Sequence, residues 1–305
     1  MGSLFDELES WKPVLGAIPR SGASFPRPSG SVISMTAEGG TAEGEVLVGG
    51  MVNVGAVVRH GALVERPAPR TARALHAHLL ALRAQGFDAA PKPIRLSDDG
   101  REQLSFVPGD VPLPPFPRWA MTEAALRSVG SLLRRLHDAS AAIAVDVSAE
   151  WPRSLSDPEG GTMLCHNDVC PENVVFRDGQ ATALIDFDLA APGRPVWDVA
   201  MTARYWVPML DATSAAGFYP AGLDTPARLR VLADGYGLSP QERAELPGVI
   251  EQATASCRAF VADRVAHGDP GYVQALSERG GWRRWDRIQE WLVAQREVFT
   301  AALLK

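Results

Sequence analysis

The chain has 305 residues, 46% of them hydrophobic, which is enough for one large or two small globular domains. Its 30 basic and 36 acidic residues leave a net charge of −6, which argues against the broad basic footprint of a nucleic-acid binder. Three cysteines (Cys165, Cys170 and Cys257) cannot build a disulfide framework, and no stretch is apolar and long enough to span a bilayer. The expectation is a cytoplasmic protein without membrane or nucleic-acid partners.

Residues 1–44 are rich in Pro, Gly and Ser after a short helical stretch, and read as an irregular arm. From Glu45 the pattern turns β-like: Val46-Leu47-Val48, a loop holding Gly49, Gly50 and Asn53, a strand over 56–59, a turn at His60-Gly61 and a strand over 62–66 ending at Arg66. Glycines between two strands let backbone N–H groups approach a phosphate closely, although most such hairpins are only turns. A helix is predicted over 71–85, then short strands near 91–94 and 102–107, and Pro108-Gly109-Asp110 interrupts the pattern. Leu126, Val129, Leu132, Leu133 and Leu136 recur at helical spacing, which predicts a helix over 122–141 with one buried face.

The stretch from Cys165 to Asp198 carries the chemistry. His166-Asn167-Asp168 is followed five residues later by Asn173, a β-like run leads to the turn Asp178-Gly179, and a second run delivers Asp186. This reads as a tight hairpin that presents an Asp and an Asn on one loop and a second Asp at the end of the next strand. Such a hard, oxygen-rich set suits Mg²⁺ better than zinc. Cys165, His166 and Cys170 also invite a zinc reading, but no second Cys/His cluster follows at usable spacing. Beyond the hairpin, Pro195 opens an apolar helix to about 207 with Asp198 in its first turn, and another is predicted over 224–235. Ser239-Pro240-Gln241-Glu242 is a helix start for a run to about 267, and a last helix over 280–304 bears Trp282, Trp285, Ile288, Trp291 and Leu292 as a core stripe.

His166-x-Asp168-(four residues)-Asn173, followed by Asp186-Phe187-Asp188, matches the kinase pattern H-x-D-x-x-x-x-N and D-F-x. The segment resembles the aminoglycoside phosphotransferase and choline kinase-like family, over about residues 44–210. That family reads H-G-D in its catalytic loop and shares its architecture with protein kinases. The resemblance implies an α+β, two-lobed protein-kinase-like fold: residues 1–109 a nucleotide-binding lobe with a small antiparallel sheet and one helix, residues 110–305 a helical lobe with the catalytic loop and acceptor site. It implies transfer of the γ-phosphoryl group of ATP or GTP to a hydroxyl of a small molecule, with Mg²⁺. An aminoglycoside or related cationic antibiotic is one acceptor class, and choline, homoserine and sugar-like compounds are others.

By the same resemblance Asp168 is the base or hydroxyl-orienting residue, and Asn173 and Asp186 hold metal. His166 and Asp198 brace the loop, and Gly49, Gly50 and Asn53 cover the nucleotide phosphates. Asp188 stands where protein kinases have Gly, and could contact metal, a substrate amine or nothing. His137, at the end of its helix, reads as structural. The departure is in the first lobe. The strand that should carry a phosphate-binding Lys offers only Arg66, and the helix over 71–85 has no Glu to hold it, Glu65 and Glu102 being the nearest substitutes. That gap motivates an alternative, a nucleotide-binding pseudokinase or regulatory module without turnover.

Overall fold

The computed structural model describes residues 44–47 and 55–305. The arm over 1–43 and the loop residues Gly49, Gly50 and Asn53 lie outside the described residues. The first half of the chain forms strands β1 (Glu45–Val46), β2 (Val58–His60) and β3 (Leu63–Pro67), helix α1 (Ala72–Ala84), and strands β4 (Pro93–Leu96) and β5 (Arg101–Ser105). The strands make one antiparallel sheet in the order β1-β2-β3-β5-β4. Its register sets Arg66 of β3 directly opposite Glu102 of β5, so both side chains leave the same face of the sheet. On α1, Leu75, Leu79 and Leu82 fall on one helical stripe and are buried, and His78 is buried beside them.

A connector without regular structure follows β5. Within it Asp110 pairs through its backbone with Phe176, both N–H···O distances being 2.8 Å. Gly109 before it has φ 150°, and a Cβ there would lie 2.5 Å from the Phe176 carbonyl oxygen, so the close approach requires glycine. Helix α2 (Glu123–Ser140) then begins on Thr122, whose Oγ1 accepts from the Ala125 N–H at 3.2 Å. Its predicted apolar stripe is buried along its whole length.

The stretch from Met163 to Gly193 is built of two small antiparallel pairs. Strand β6 (Met163–Cys165) pairs with β9 (Ala191–Gly193), and β7 (Val174–Arg177) pairs with β8 (Gln180–Leu184) across a turn at Asp178 and Gly179, both at positive φ. Helices α3 (Pro195–Trp206), α4 (Ala212–Ala215), α5 (Thr225–Tyr236), α6 (Pro240–Ala266), α7 (Pro270–Glu278) and α8 (Gly281–Leu303) complete the chain. The capping box at Ser239 and Glu242 is formed in both directions. Helices α2 and α5 cross at unusually short range: a Cβ on Gly130 would lie 2.8 Å from the Tyr236 nitrogen, and one on Gly235 2.6 Å from the Arg127 carbonyl oxygen.

The structure corrects the sequence reading in several places. Of the last helix's stripe, Ile288 and Leu292 are buried, Trp285 and Trp291 partly so, but Trp282 is 36% exposed and lies under the Arg258 guanidinium. Helices α4 and α7 and strands β6 and β9 have no counterpart among the predicted elements. Among the described residues no helix is long and apolar enough to cross a membrane.

Candidate active site

The loop after β6 is held from beneath. Asp198, in the first turn of α3 and fully buried, accepts from the backbone N–H of His166 at 2.7 Å and of Asn167 at 2.9 Å. It also receives His137 Nε2 at 3.0 Å, and His137 Nδ1 meets the Tyr236 hydroxyl at 2.7 Å. Burial opposes the Asp198 charge, yet the His137 bond and the neighbouring charges outweigh it and hold its pKa below the usual carboxylate range. His137, Cys165 and Asp198 converge as a metal site would, but the Asp198 oxygens are taken up by these N–H groups, and the cluster acts as a brace.

Asn167 has φ 64°, the left-handed conformation that Asn tolerates better than most residues and that Gly adopts freely. The H-G-D form of the loop and His166-Asn167-Asp168 thus meet the same backbone demand. The Asn167 amide donates to the Leu189 carbonyl at 3.1 Å. His166 Nε2 lies 3.1 Å from the Ile185 carbonyl oxygen, so that nitrogen carries the proton and donates, and Nδ1 accepts from the Asp168 N–H at 3.3 Å. Burial lowers the His166 pKa, in keeping with a neutral ring that orients the loop. Asn173 Nδ2 donates to both the Asp168 carbonyl (2.9 Å) and its carboxylate (3.0 Å), so Asp168 and Asn173 share one mouth.

Asp186 follows β8 with φ 62°. Here the first lobe's cation arrives. Arg66 donates from Nε to Glu102 at 2.7 Å, from Nη1 to Asp186 at 3.0 Å, and from Nη2 to Asp188 at 2.5 Å. The second oxygen of Glu102 is 2.6 Å from Nε2 of His76, on α1. The missing helix Glu is therefore replaced from the neighbouring strand, and the helix supplies a His instead. Glu65, the other substitute, pairs elsewhere, with Arg101 at 2.7 Å and Gln103 at 3.0 Å. Sequence reasoning missed His76, because a His on a helix carries no signal of the strand carboxylate it will meet.

Burial works against the Arg66 charge, but three carboxylates prevail and keep its pKa raised. Asp168 is densely surrounded yet still reached by water. Burial, then the Asp186 charge, pushes its pKa to about 7. Asp188 is likewise pushed to about 7 by burial and Asp186, against the pull of Arg66. Like charges this close favour a shared proton or a cation between them. Asp186, Asp188 and the Asn173 amide oxygen are hard donors, so the set fits Mg²⁺.

The sequence model of the Phosphotransferase enzyme family matches residues 140–232. The trifolitoxin immunity protein of Rhizobium leguminosarum bv. trifolii is 30% identical over 260 residues, covering 81% of this chain and 94% of that protein. The chain belongs to the phosphotransferase enzyme family. A shorter similarity within it is to homoserine kinase of Gluconobacter oxydans, 31% identical over 108 residues, 35% of this chain and 31% of that one. Among solved structures, a choline/ethanolamine kinase family protein from Mesorhizobium loti superposes with TM-score 0.58 at 16% identity, over 87% of this chain and 93% of that chain. This phosphotransferase-family chain has the α+β, two-lobed protein-kinase-like fold.

Proposed function

We propose that this family member transfers the γ-phosphoryl group of ATP or GTP to a hydroxyl of a small molecule. The observation that carries the reading is the meeting of Arg66 with Asp186 and Asp188 beside the Asp168–Asn173 mouth. Phosphoryl transfer needs a cation on the nucleotide phosphates, hard oxygen ligands for the metal, and a group that orients the attacking hydroxyl. In this reading the nucleotide binds to residues 1–109, with Gly49, Gly50 and Asn53 near its phosphates, and the acceptor binds within 110–305. Arg66 supplies the cation, anchored by Glu102. Asn173, Asp186 and Asp188 would hold Mg²⁺, which supplies charge neutralisation on the phosphates. Asp168 aligns the acceptor hydroxyl and takes its proton as the P–O bond forms. His166 and Asp198 keep the loop in place.

The completed Arg66–Glu102 pair weighs against the pseudokinase alternative, which rested on the absence of such a pair. The acceptor is the finer question. The family resemblance and the immunity relative suggest an antibiotic, and the homoserine kinase similarity suggests a hydroxy amino acid. The test is transfer from labelled ATP and GTP, with Mg²⁺, to a panel of both kinds. Transfer lost in Asp168→Ala supports the reading. Undiminished transfer in that variant sinks the role given to Asp168.

A further inference from the structure

Helix α1 carries two histidines that face opposite ways, since residues two apart on a helix are separated by about 200°. His78 turns to the second lobe. Its Nε2 lies 3.2 Å from the Ser140 hydroxyl at the end of α2, and that hydroxyl donates its one proton to the Leu164 carbonyl on β6 at 2.9 Å. Ser140 therefore accepts from His78. His76 turns to the sheet, where its Nε2 meets Glu102 Oε2 at 2.6 Å. A carboxylate only accepts, so this nitrogen carries the proton and donates. Helix α1 is thereby tied at one histidine to the strand that leads into the His166–Asp168 loop, and at the other to the partner of Arg66.

Glu102 is 1% exposed, so water does not serve its oxygens. Oε1 accepts from Arg66 Nε at 2.7 Å, and Oε2 is taken by His76. This division decides how Arg66 presents its fork. A carboxylate with both oxygens free takes arginine by two parallel N–H bonds. Here one oxygen alone is on offer. Arg66 gives Glu102 its Nε and keeps Nη1 for Asp186 at 3.0 Å and Nη2 for Asp188 at 2.5 Å. Without the His76 bond, Oε2 would be buried and unpaired, which is costly for a charged group. A turn of the carboxylate towards the guanidinium would satisfy it, and would draw Nη2 away from Asp188.

We infer that His76 is a positioning residue for the phosphoryl donor: by holding one oxygen of Glu102, it keeps the outer N–H groups of Arg66 aimed at the nucleotide phosphates. The inference rests on the phosphotransferase reading above, in which Arg66 meets those phosphates. His76 acts through Glu102, on nucleotide binding and not on the acceptor.

The test compares His76→Leu, His76→Asn and His76→Gln, with calorimetric binding of non-hydrolysable ATP and GTP analogues in the presence of Mg²⁺ as the readout. Gln places its amide nitrogen about as far along the side chain as His Nε2 and still donates to Glu102. Asn is polar but too short to reach, and Leu has no donor. Leu and Asn should weaken binding of the preferred analogue about 10-fold, the size of one charge-assisted hydrogen bond, and Gln should stay within about 2-fold of the unaltered protein. In a Glu102→Gln background, itself weaker in binding, His76→Leu should add little, because an amide nitrogen cannot accept from the Arg66 fork. A merely structural role for His76 would leave the two losses additive. Should His76→Leu fail to fold, the comparison of Asn with Gln decides alone. Unchanged affinity in Leu and Asn, equal loss in Asn and Gln, or additive losses in the double variant overturns the inference and leaves the kinase reading standing. Absence of Mg²⁺-dependent binding of either analogue by the unaltered protein overturns the kinase reading, and the inference falls with it.

Discussion

Replacing Asp198 by Asn tests the brace beneath the His166–Asp168 loop, because the change keeps volume and removes charge. One carboxylate oxygen now serves both the His166 N–H and His137 Nε2, and the other serves the Asn167 N–H. The amide has a single oxygen. If that oxygen takes the first position, its NH₂ faces the Asn167 N–H, and two donors confront each other in a fully buried site. An unsatisfied buried donor costs about 1–3 kcal/mol, and the two surviving bonds lose their charge assistance, so the total loss should be about 3–5 kcal/mol. The folded-state pKa of Asp198 is lowered, so its stabilisation is present above the ordinary carboxylate range and lost as pH falls through the lowered value. Asp198→Asn should therefore lose stability at pH 7 and show a flatter acid limb than the wild type. Urea unfolding across pH measures both, and phosphoryl-transfer kcat should drop because Asn167 and Asp168 lose their anchor. A variant within about 1 kcal/mol of wild type at pH 7, with unchanged kcat, would refute the reasoning.

Arg66→Met should weaken nucleotide use more than Arg66→Lys, since Lys keeps the charge but not the fork; nucleotide KM measured on all three proteins decides, and equal values remove Arg66 from the site. His78 is buried with its pKa lowered from 6.5 to about 4 by burial, so its contribution is intact above pH 6.5 and lost as pH falls towards 4. At about 1.4 kcal/mol per pH unit this is roughly 3 kcal/mol, and His78→Gln should remove that acid-side loss in unfolding measured from pH 7 to 4. Both Asn167→Gly and Asn167→Val lose the buried amide bond to Leu189, but Gly accepts the positive φ, so Asn167→Val should be the less stable of the two by a further ~1–3 kcal/mol, because a β-branched residue resists that conformation. Similar Tm values for the two would contradict the backbone argument.

The hairpin of the candidate site was legible because its pattern is local: His166, Asp168, Asn173 and Asp186 are fixed by spacing along a single turn-and-strand unit. Helices α2, α3, α5, α6 and α8 were legible for the same reason, through caps and apolar period. The partner of Arg66 was legible only as a choice between Glu65 and Glu102. Glu102 lies 36 residues further on and meets it only through the β3–β5 register, which no local signal encodes. Strand β9 reads Ala191-Pro192-Gly193, a turn by composition, and is a strand only because β6 lies beside it. Helix α7 did have a start signal in Asp269 and Pro270, but its nine residues bury none of their side chains, so no apolar period marked it. Trp282 kept the helical spacing of its stripe and still faces outward, since period gives a face but not the neighbour that covers it.

The α2–α5 crossing carries a consequence for the loop it never touches. His137 reaches Asp198 from α2, and Tyr236 steadies His137 from α5, so the loop's height depends on how far apart those two backbones lie. Gly130 and Gly235 fix that distance by what they lack. A single methyl group at either position acts as a shim, lifting one helix from the other and drawing the His137 ring off the carboxylate. The alignment of Asp168 is in this sense machined at a joint in the middle of the bundle, by two hydrogen atoms that stand where side chains would otherwise be.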